Sequence, residues 1–133
     1  EITSRILKEE PEMSFVYSNF IWGKKKFRLF PFNPEKLKKM PYIHTITLIR
    51  KRDLPQPGWD ENIKRMQDWD LWLTMVENGC KGKWVDQTLF RVEPGGTMSG
   101  WLPSICYKIF PFLPKVRKYH KAMDIIKKKH QIQ

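Results

Sequence analysis

The chain has 133 residues, a formal net charge of +11 at pH 7, 41% hydrophobic residues and 14% aromatic residues. This length fits one domain or part of one, and so much large apolar surface excludes a disordered chain. No uncharged apolar stretch reaches about 18 residues, which excludes a transmembrane helix. The positive charge favours an anionic partner, either nucleic acid, anionic lipid or a phosphorylated substrate, and does not bear on the fold.

Helix and strand signals alternate through the first half of the chain. In chain order, the predicted elements are a helix over 2–10, a strand over 14–18, a solvated turn at 24–26, a short helix over 34–40 and a strand over 43–49. Pro11 ends the first helix, and Pro34 begins the second because proline is favoured in the first helical turn.

The second half continues the alternation. Its predicted elements are a loop over 51–62, a helix over 68–78, a strand over 85–92 and an amphipathic, lysine-rich helix within 115–130. We expect Asp68 to be the N-cap of the middle helix, Asp70 to complement its dipole and Gly79 to end it. The whole order predicts an α/β fold, with helices covering a sheet.

The cysteine pattern does not indicate a zinc site. Cys80 and Cys106 form no CxxC pair and have no neighbouring histidine. We interpret them as two buried free thiols in a reducing compartment rather than as a disulfide.

Two segments, 57–61 and 67–73, combine tryptophan with carboxylates. Residues two apart on a helix point about 200° apart, so Asp68 and Asp70 cannot both face one site. If one of them is catalytic, we expect the other to be structural. Tryptophan beside carboxylates is typical of carbohydrate sites, because a sugar ring has an apolar face and a polar edge. The alternative is that Trp59 anchors its loop in the core.

Several segments, in this order and spacing, resemble the C-terminal half of a family 2 glycosyltransferase. They are a strand with its following arginine at 42–50, a Gly-Trp-Asp-Glu loop at 58–61, a Gln-Asp-Trp-Asp-Leu-Trp-Leu helix start at 67–73, and a turn with its strand at 79–92. Residues 15–18 resemble the strand after that family's nucleotide-sugar site, and residues 97–99 its Ser-Met-Ser ending. The resemblance implies the second half of a GT-A domain, a Rossmann-like α/β sandwich, over residues 1–100, followed by a basic amphipathic helical tail over 101–133.

The resemblance implies an enzyme that transfers a sugar from a nucleotide-sugar donor to an acceptor hydroxyl, with inversion of the anomeric centre. Asp68 is then the general base, because a single-displacement transfer needs an ionised carboxylate within reach of the attacking hydroxyl. Trp59, Asp60, Gln67 and Trp69 are expected to bind the acceptor. Gln67 stands where the family has a glutamate.

The family's donor-binding half is expected to lie N-terminal to residue 1. Asp68-Trp69-Asp70 has the spelling of the family's metal-binding Asp-x-Asp but lies in the acceptor motif, and Glu93 stands where many relatives have a histidine. We therefore expect no metal and no nucleotide-sugar binding by this chain alone, and an inactive isolated chain. The full-length enzyme is expected to use a divalent metal, Mg²⁺ or Mn²⁺, and to act on a glycan or lipid-linked acceptor in cell-envelope synthesis.

The lysines and arginines are clustered. The clusters are Lys24–Lys26, then Lys36, Lys38 and Lys39, and finally Lys115, Arg117, Lys118, Lys121 and Lys127–Lys129. They form either a solvated surface or a surface for peripheral attachment to an anionic membrane, with apolar residues at 105, 107, 109, 110, 112 and 113 entering the interface. The second interpretation predicts a cytoplasmic protein at the inner face of the membrane. Half of a sheet would also expose an unpaired edge, which predicts self-association.

Two other functions fit parts of this pattern. A basic nucleic-acid-binding module would use the charge and stack its aromatic residues on bases, but no RNA-binding fingerprint is present, so we expect no nucleic acid. A non-catalytic glycan-binding remnant would keep the tryptophans and tolerate Asp68→Asn.

Overall fold

The computed structural model describes residues 1–93 and 109–133 and has a mixed α/β fold. Its helices are α1 (Ile2–Glu9), α2 (Pro34–Lys39), α3 (Gln67–Glu77) and α4 (Pro114–Lys129). Its strands are β1 (Phe15–Trp22), β2 (Lys25–Phe27), β3 (Leu48–Ile49) and β4 (Gly82–Val92). The Pro-Gly-Gly turn at 94–96, the segment at 97–99, Cys106 and the apolar residues at 105 and 107 lie outside the described residues.

Strand β1 is the centre of the sheet. Strand β4 lies parallel to it along its whole length, from Phe15 opposite Gly82 to Trp22 opposite Val92. The antiparallel strands β3 and β2 pair with the first and last parts of β1, respectively. Since β4 pairs with the full length of β1, β2 and β3 share its other edge.

Helices cover both faces of this sheet. Successive side chains of a strand point to opposite faces, so β1 has apolar side chains to bury on each of them. Phe15 and Tyr17 belong to the main core, with the buried residues of α2, α3 and α4. Val16 points the other way and joins Leu7 of α1 in a smaller cluster. The sequence prediction of a helix-covered sheet is therefore confirmed.

The expected strand over 43–49 is mostly wrong, since only Leu48 and Ile49 pair with β1. The reason is that His44 satisfies the backbone locally. Its Nδ1 accepts from the Ile46 N–H at 3.0 Å, and its carbonyl accepts from the Thr47 hydroxyl. These bonds replace sheet pairing with a turn.

Helix α3 begins at Gln67 rather than after Asp68, so the expected N-cap role of Asp68 is wrong. The N-cap residue is Met66, which has no side-chain capping bond and a φ of 59°. The other end agrees with the prediction: Gly79 follows the helix with a φ of +80°, a conformation that favours glycine.

Helix α4 forms close to where the lysine-rich pattern predicts it. Val116 and Ile126 are fully buried, and Ile126 belongs to the main core. Within residues 1–93 and 109–133, no helix is long and apolar enough to cross a membrane. Cys80, partly buried, is a free thiol as expected.

The start of β4 has no room for a side chain, because a Cβ on Gly82 would overlap the buried ring of Phe15. We expect Gly82→Ala to lower the free energy of unfolding by about 1–3 kcal/mol, the usual range for overpacking. Gln87→Ala, an exposed position on the same strand, is the control and should change it little. Urea denaturation measures both, and equal stability of the two variants would contradict this packing.

Candidate functional site

Three consecutive residues of α3 point in three directions. Asp68 lines an open cleft, Trp69 is fully buried in the core, and Asp70 faces the end of α4. Successive helical residues are rotated by about 100°, so this divergence follows from helix geometry. The expectation that Asp68 and Asp70 do not face the same site is confirmed.

The cleft at Asp68 has a volume of about 220 Å³ and is lined by Thr45, Trp59, Gln67 and Asp68. It therefore brings together three of the residues that the sequence analysis selected. Asp68 is the second residue of α3, Trp59 lies in the loop before that helix, and Thr45 lies in the turn after residue 43.

Asp68 is mostly buried and has few partners. Its Oδ1 accepts from the Trp69 N–H at 2.9 Å. Burial raises the pKa of Asp68, and the Trp69 N–H and the nearby His44 oppose that rise. Among the described residues, no lysine or arginine forms an ion pair with this carboxylate. A desolvated carboxylate without a cationic partner is a stronger base than one in water.

His44 is a residue of this region that the sequence analysis did not select. Its Nδ1 accepts the Ile46 N–H, so the proton of the neutral ring is on Nε2. Nε2 is buried and has no hydrogen-bond partner among the described residues. Burial lowers the pKa of His44, whose ring packs against the stacked rings of Phe20 and Phe90. The only signal in the sequence was a lone histidine in an apolar segment, which is usually structural.

Trp59 is 42% exposed and lies between two cavities. One is the cleft at Asp68, and the other, of about 450 Å³, is lined by residues 55–62 together with Asp70, Thr74 and Lys129. Gly58 precedes it with a φ of +100°, which a side chain would strain. The alternative in which Trp59 anchors its loop in the core is therefore wrong.

Asp60 is held away from the cleft at Asp68. It accepts from the Lys129 Nζ at 2.8 Å and from the Asn62 N–H at 3.0 Å. The Lys129 bond is the main cause that lowers the pKa of Asp60. Gln67 donates to the Asp60 carbonyl at 3.3 Å, so the loop is tied to both α3 and α4.

Asp70 belongs to a buried polar cluster. Its two carboxylate oxygens accept from His130 Nε2 at 2.7 Å and Lys129 Nζ at 3.0 Å. The other ring nitrogen of His130 lies 2.7 Å from a Glu77 oxygen. The structural interpretation of Asp70 is thus supported by its contacts, although the partner is α4 rather than the helix dipole.

The structure corrects the expectation for Trp69. Its indole is fully buried and donates to the Leu37 carbonyl at 2.6 Å, so it cannot contact an acceptor. Its position one residue after Asp68 turns it inward. Within the described ranges, no group of three or more His, Cys, Asp or Glu side chains could hold a metal ion.

No model of a known protein family matches the sequence, and no curated protein matches it either.

The same substitution, Asp to Asn, should change the free energy of unfolding in opposite directions at Asp68 and at Asp70. We expect Asp68→Asn to raise the free energy of unfolding at neutral pH, because it removes a desolvated charge. Asp70→Asn should lower it by about 1.5–3 kcal/mol, because it weakens hydrogen bonds between charged groups. Thermal and urea denaturation of both variants measure this difference.

The effect at Asp68 should depend on pH. A folded pKa above the unfolded value stabilises the protein when the group is protonated, and that contribution is lost as pH rises through the folded pKa. The advantage of Asp68→Asn over the parent should therefore grow between about pH 3 and pH 7. A constant difference, or a less stable Asp68→Asn, would contradict the environment described for Asp68.

Proposed function

We propose that this chain is the acceptor side of an inverting glycosyltransferase, with Asp68 as the general base. The observation that carries the proposal is a desolvated carboxylate, without a cationic partner, in a cleft beside an exposed tryptophan. The order of the sequence segments at 42–50, 58–61, 67–73 and 79–92 supports the same assignment. On this proposal, the mixed α/β fold is the second half of a GT-A domain.

The proposed reaction moves one proton and one glycosyl group. The acceptor hydroxyl gives its proton to the Asp68 carboxylate while its oxygen bonds to the anomeric carbon of the donor. The bond from that carbon to the nucleotide diphosphate breaks, and the diphosphate leaves with the electron pair. Asp68 suits this step because burial strengthens it as a base.

Trp59 and Gln67 are proposed to orient the acceptor. The exposed indole offers an apolar surface to one face of a sugar ring, and Gln67 lies on the same cleft with an amide for hydroxyl groups. Since Trp59 also borders the second cavity, an acceptor of two or more sugars could contact both of its sides. Asp60 acts indirectly, because its bonds to Lys129 and Asn62 hold the loop that carries Trp59.

The donor and its metal are assigned elsewhere in the enzyme. Asp68 and Asp70 point apart, so these residues do not fit the Mg²⁺ or Mn²⁺ of such a transferase. The proposal therefore places the nucleotide diphosphate and the metal on a donor-binding half. A glycan or lipid-linked acceptor of the cell envelope, met at the cytoplasmic face, is the substrate class that fits it.

Asp68→Asn tests the proposed base. In an enzyme form that includes the donor-binding half, we expect turnover to fall about 10²–10⁴-fold while donor binding persists. Asp124→Asn, an exposed carboxylate on α4, is the matched control and should keep full activity. Near-native turnover of Asp68→Asn would overturn the assignment and favour a non-catalytic glycan-binding protein.

Trp59 provides a test of acceptor binding that needs only this chain. We expect Trp59→Ala to weaken binding of a soluble oligosaccharide about tenfold, because an aromatic contact is lost, and Trp59→Phe to retain most of it. Chemical-shift titration with cello- and chito-oligosaccharides measures both variants. Binding that is the same for Trp59→Ala and the parent would show that the sugar does not use this cleft.

A further inference from the structure

Three large apolar side chains are exposed to solvent just before α4. Ile109, Phe110 and Phe112 are 55%, 41% and 69% exposed. The rings of Phe110 and Phe112 contact each other edge to face, with centroids 5.8 Å apart, rather than packing into the core. Neighbouring exposed apolar side chains of this size mark an interaction site more often than a free surface.

The outer face of α4 is basic. Its inner face consists of Val116, Ala122 and Ile126, which are buried against the rest of the protein. The opposite face carries exposed cations, one exposed isoleucine and one exposed carboxylate, which are Arg117, Lys118, Lys121, Lys128, Ile125 and Asp124. The helix is therefore fixed to the protein by one side and presents positive charge on the other.

These cations are not used by the fold. Between described residues, no ion pair involves Arg117, Lys118, Lys121 or Lys128, whereas Lys129, the last residue of α4, binds Asp60 and Asp70. Asp124 is the one acidic residue in α4. A surface of this kind is complementary to a large anionic partner.

The aromatic residues identify the class of that partner. A nucleic acid or an acidic protein would neutralise the cations, and bases would stack on the phenylalanine rings, but base stacking gives the exposed aliphatic side chains Ile109 and Ile125 no partner. An anionic bilayer offers both contacts, since its headgroups attract lysine and arginine and its interfacial region takes up aromatic and aliphatic side chains. Ile125 lies among the cations, next to Lys121 on the helix surface, which mixes the two chemistries on one face.

We propose that Ile109, Phe110, Phe112 and the outer face of α4 form a docking surface for an anionic lipid bilayer. The phenylalanines enter the interface, and the cations of α4 lie against the headgroups. This surface is separate from the cleft at Asp68, so the proposal does not depend on glycosyl transfer.

Vesicle co-sedimentation tests the proposal with the 133-residue chain. The vesicles are phosphatidylcholine alone and phosphatidylcholine containing one third phosphatidylglycerol. We expect binding to the anionic vesicles only, decreasing as salt is added. Arg117→Gln/Lys121→Gln should weaken it about 30-fold, at the usual contribution of a cation near an anionic surface. Phe110→Ser/Phe112→Ser should weaken binding to the anionic vesicles about tenfold, because the variant lacks the apolar rings whose transfer from water into the bilayer interface is favourable.

Arg5→Gln/Lys8→Gln is the matched control, since it removes the same charge from exposed positions on another helix, α1. It should retain nearly all binding. All substituted side chains are exposed, so the variants should keep the parent's circular dichroism and melting temperature. Equal binding to neutral vesicles, or equal losses in the control and the α4 variant, would overturn the proposal. A phenylalanine variant that binds like the parent would also overturn it and indicate a general polyanion surface.

Discussion

The placement of α3 determines the rest of the structure. Two tryptophans on this helix, Trp69 and Trp72, are fully buried, and a buried indole N–H needs an acceptor. Trp69 donates to the Leu37 carbonyl at 2.6 Å and Trp72 to the Ile43 carbonyl at 3.1 Å. These two bonds hold the segment from Leu37 to Ile43 against α3. His44 and Thr45 follow Ile43 directly, so the core contacts of α3 also bring the wall of the cleft to Asp68.

A second set of bonds closes the structure from the other side. Lys129 at the end of α4 binds both Asp60 in the loop and Asp70 on α3, and His130 joins Asp70 to Glu77. The loop that carries Trp59 is therefore attached both to α3, which follows it closely, and to α4, which lies far along the chain. Without α4, Asp70 would be a buried carboxylate without a partner, which is costly. Helix α4 therefore stabilises the domain, and its outer face remains available for another role.

Most elements could be predicted from local patterns, because proline, glycine and apolar spacing act over a few residues. Asn33 caps α2, with its Oδ1 accepting from the Lys36 N–H, and Pro34 starts that helix. The expected strand over 43–49 could not be excluded in this way, since Ile43 is buried in the core with α3 rather than in a sheet, whereas Ile46 and Leu48 are exposed. The inward position of Trp69 could not be predicted, because successive helical residues point about 100° apart. An expected helix start that differs from the observed one at Gln67 therefore leaves the direction of each side chain open. The partners of Asp60 and Asp70 are more distant still, since Lys129 and His130 follow them by about half the chain.

The region around Asp68 concentrates several energetically unfavourable features. Met66 adopts a left-handed conformation with a φ of 59°, which costs a non-glycine residue on the order of 1 kcal/mol. Burial destabilises the ionised form of Asp68, and the buried Nε2 of His44 lacks a hydrogen-bond partner among the described residues. Asp70, two residues further along, has a partner for each of its oxygens. Because the same helix satisfies one carboxylate fully and leaves the other desolvated beside an open cleft, packing alone does not account for the difference. Costs of this kind are retained where they serve a site, which is the physical reason for proposing Asp68 as the reacting group.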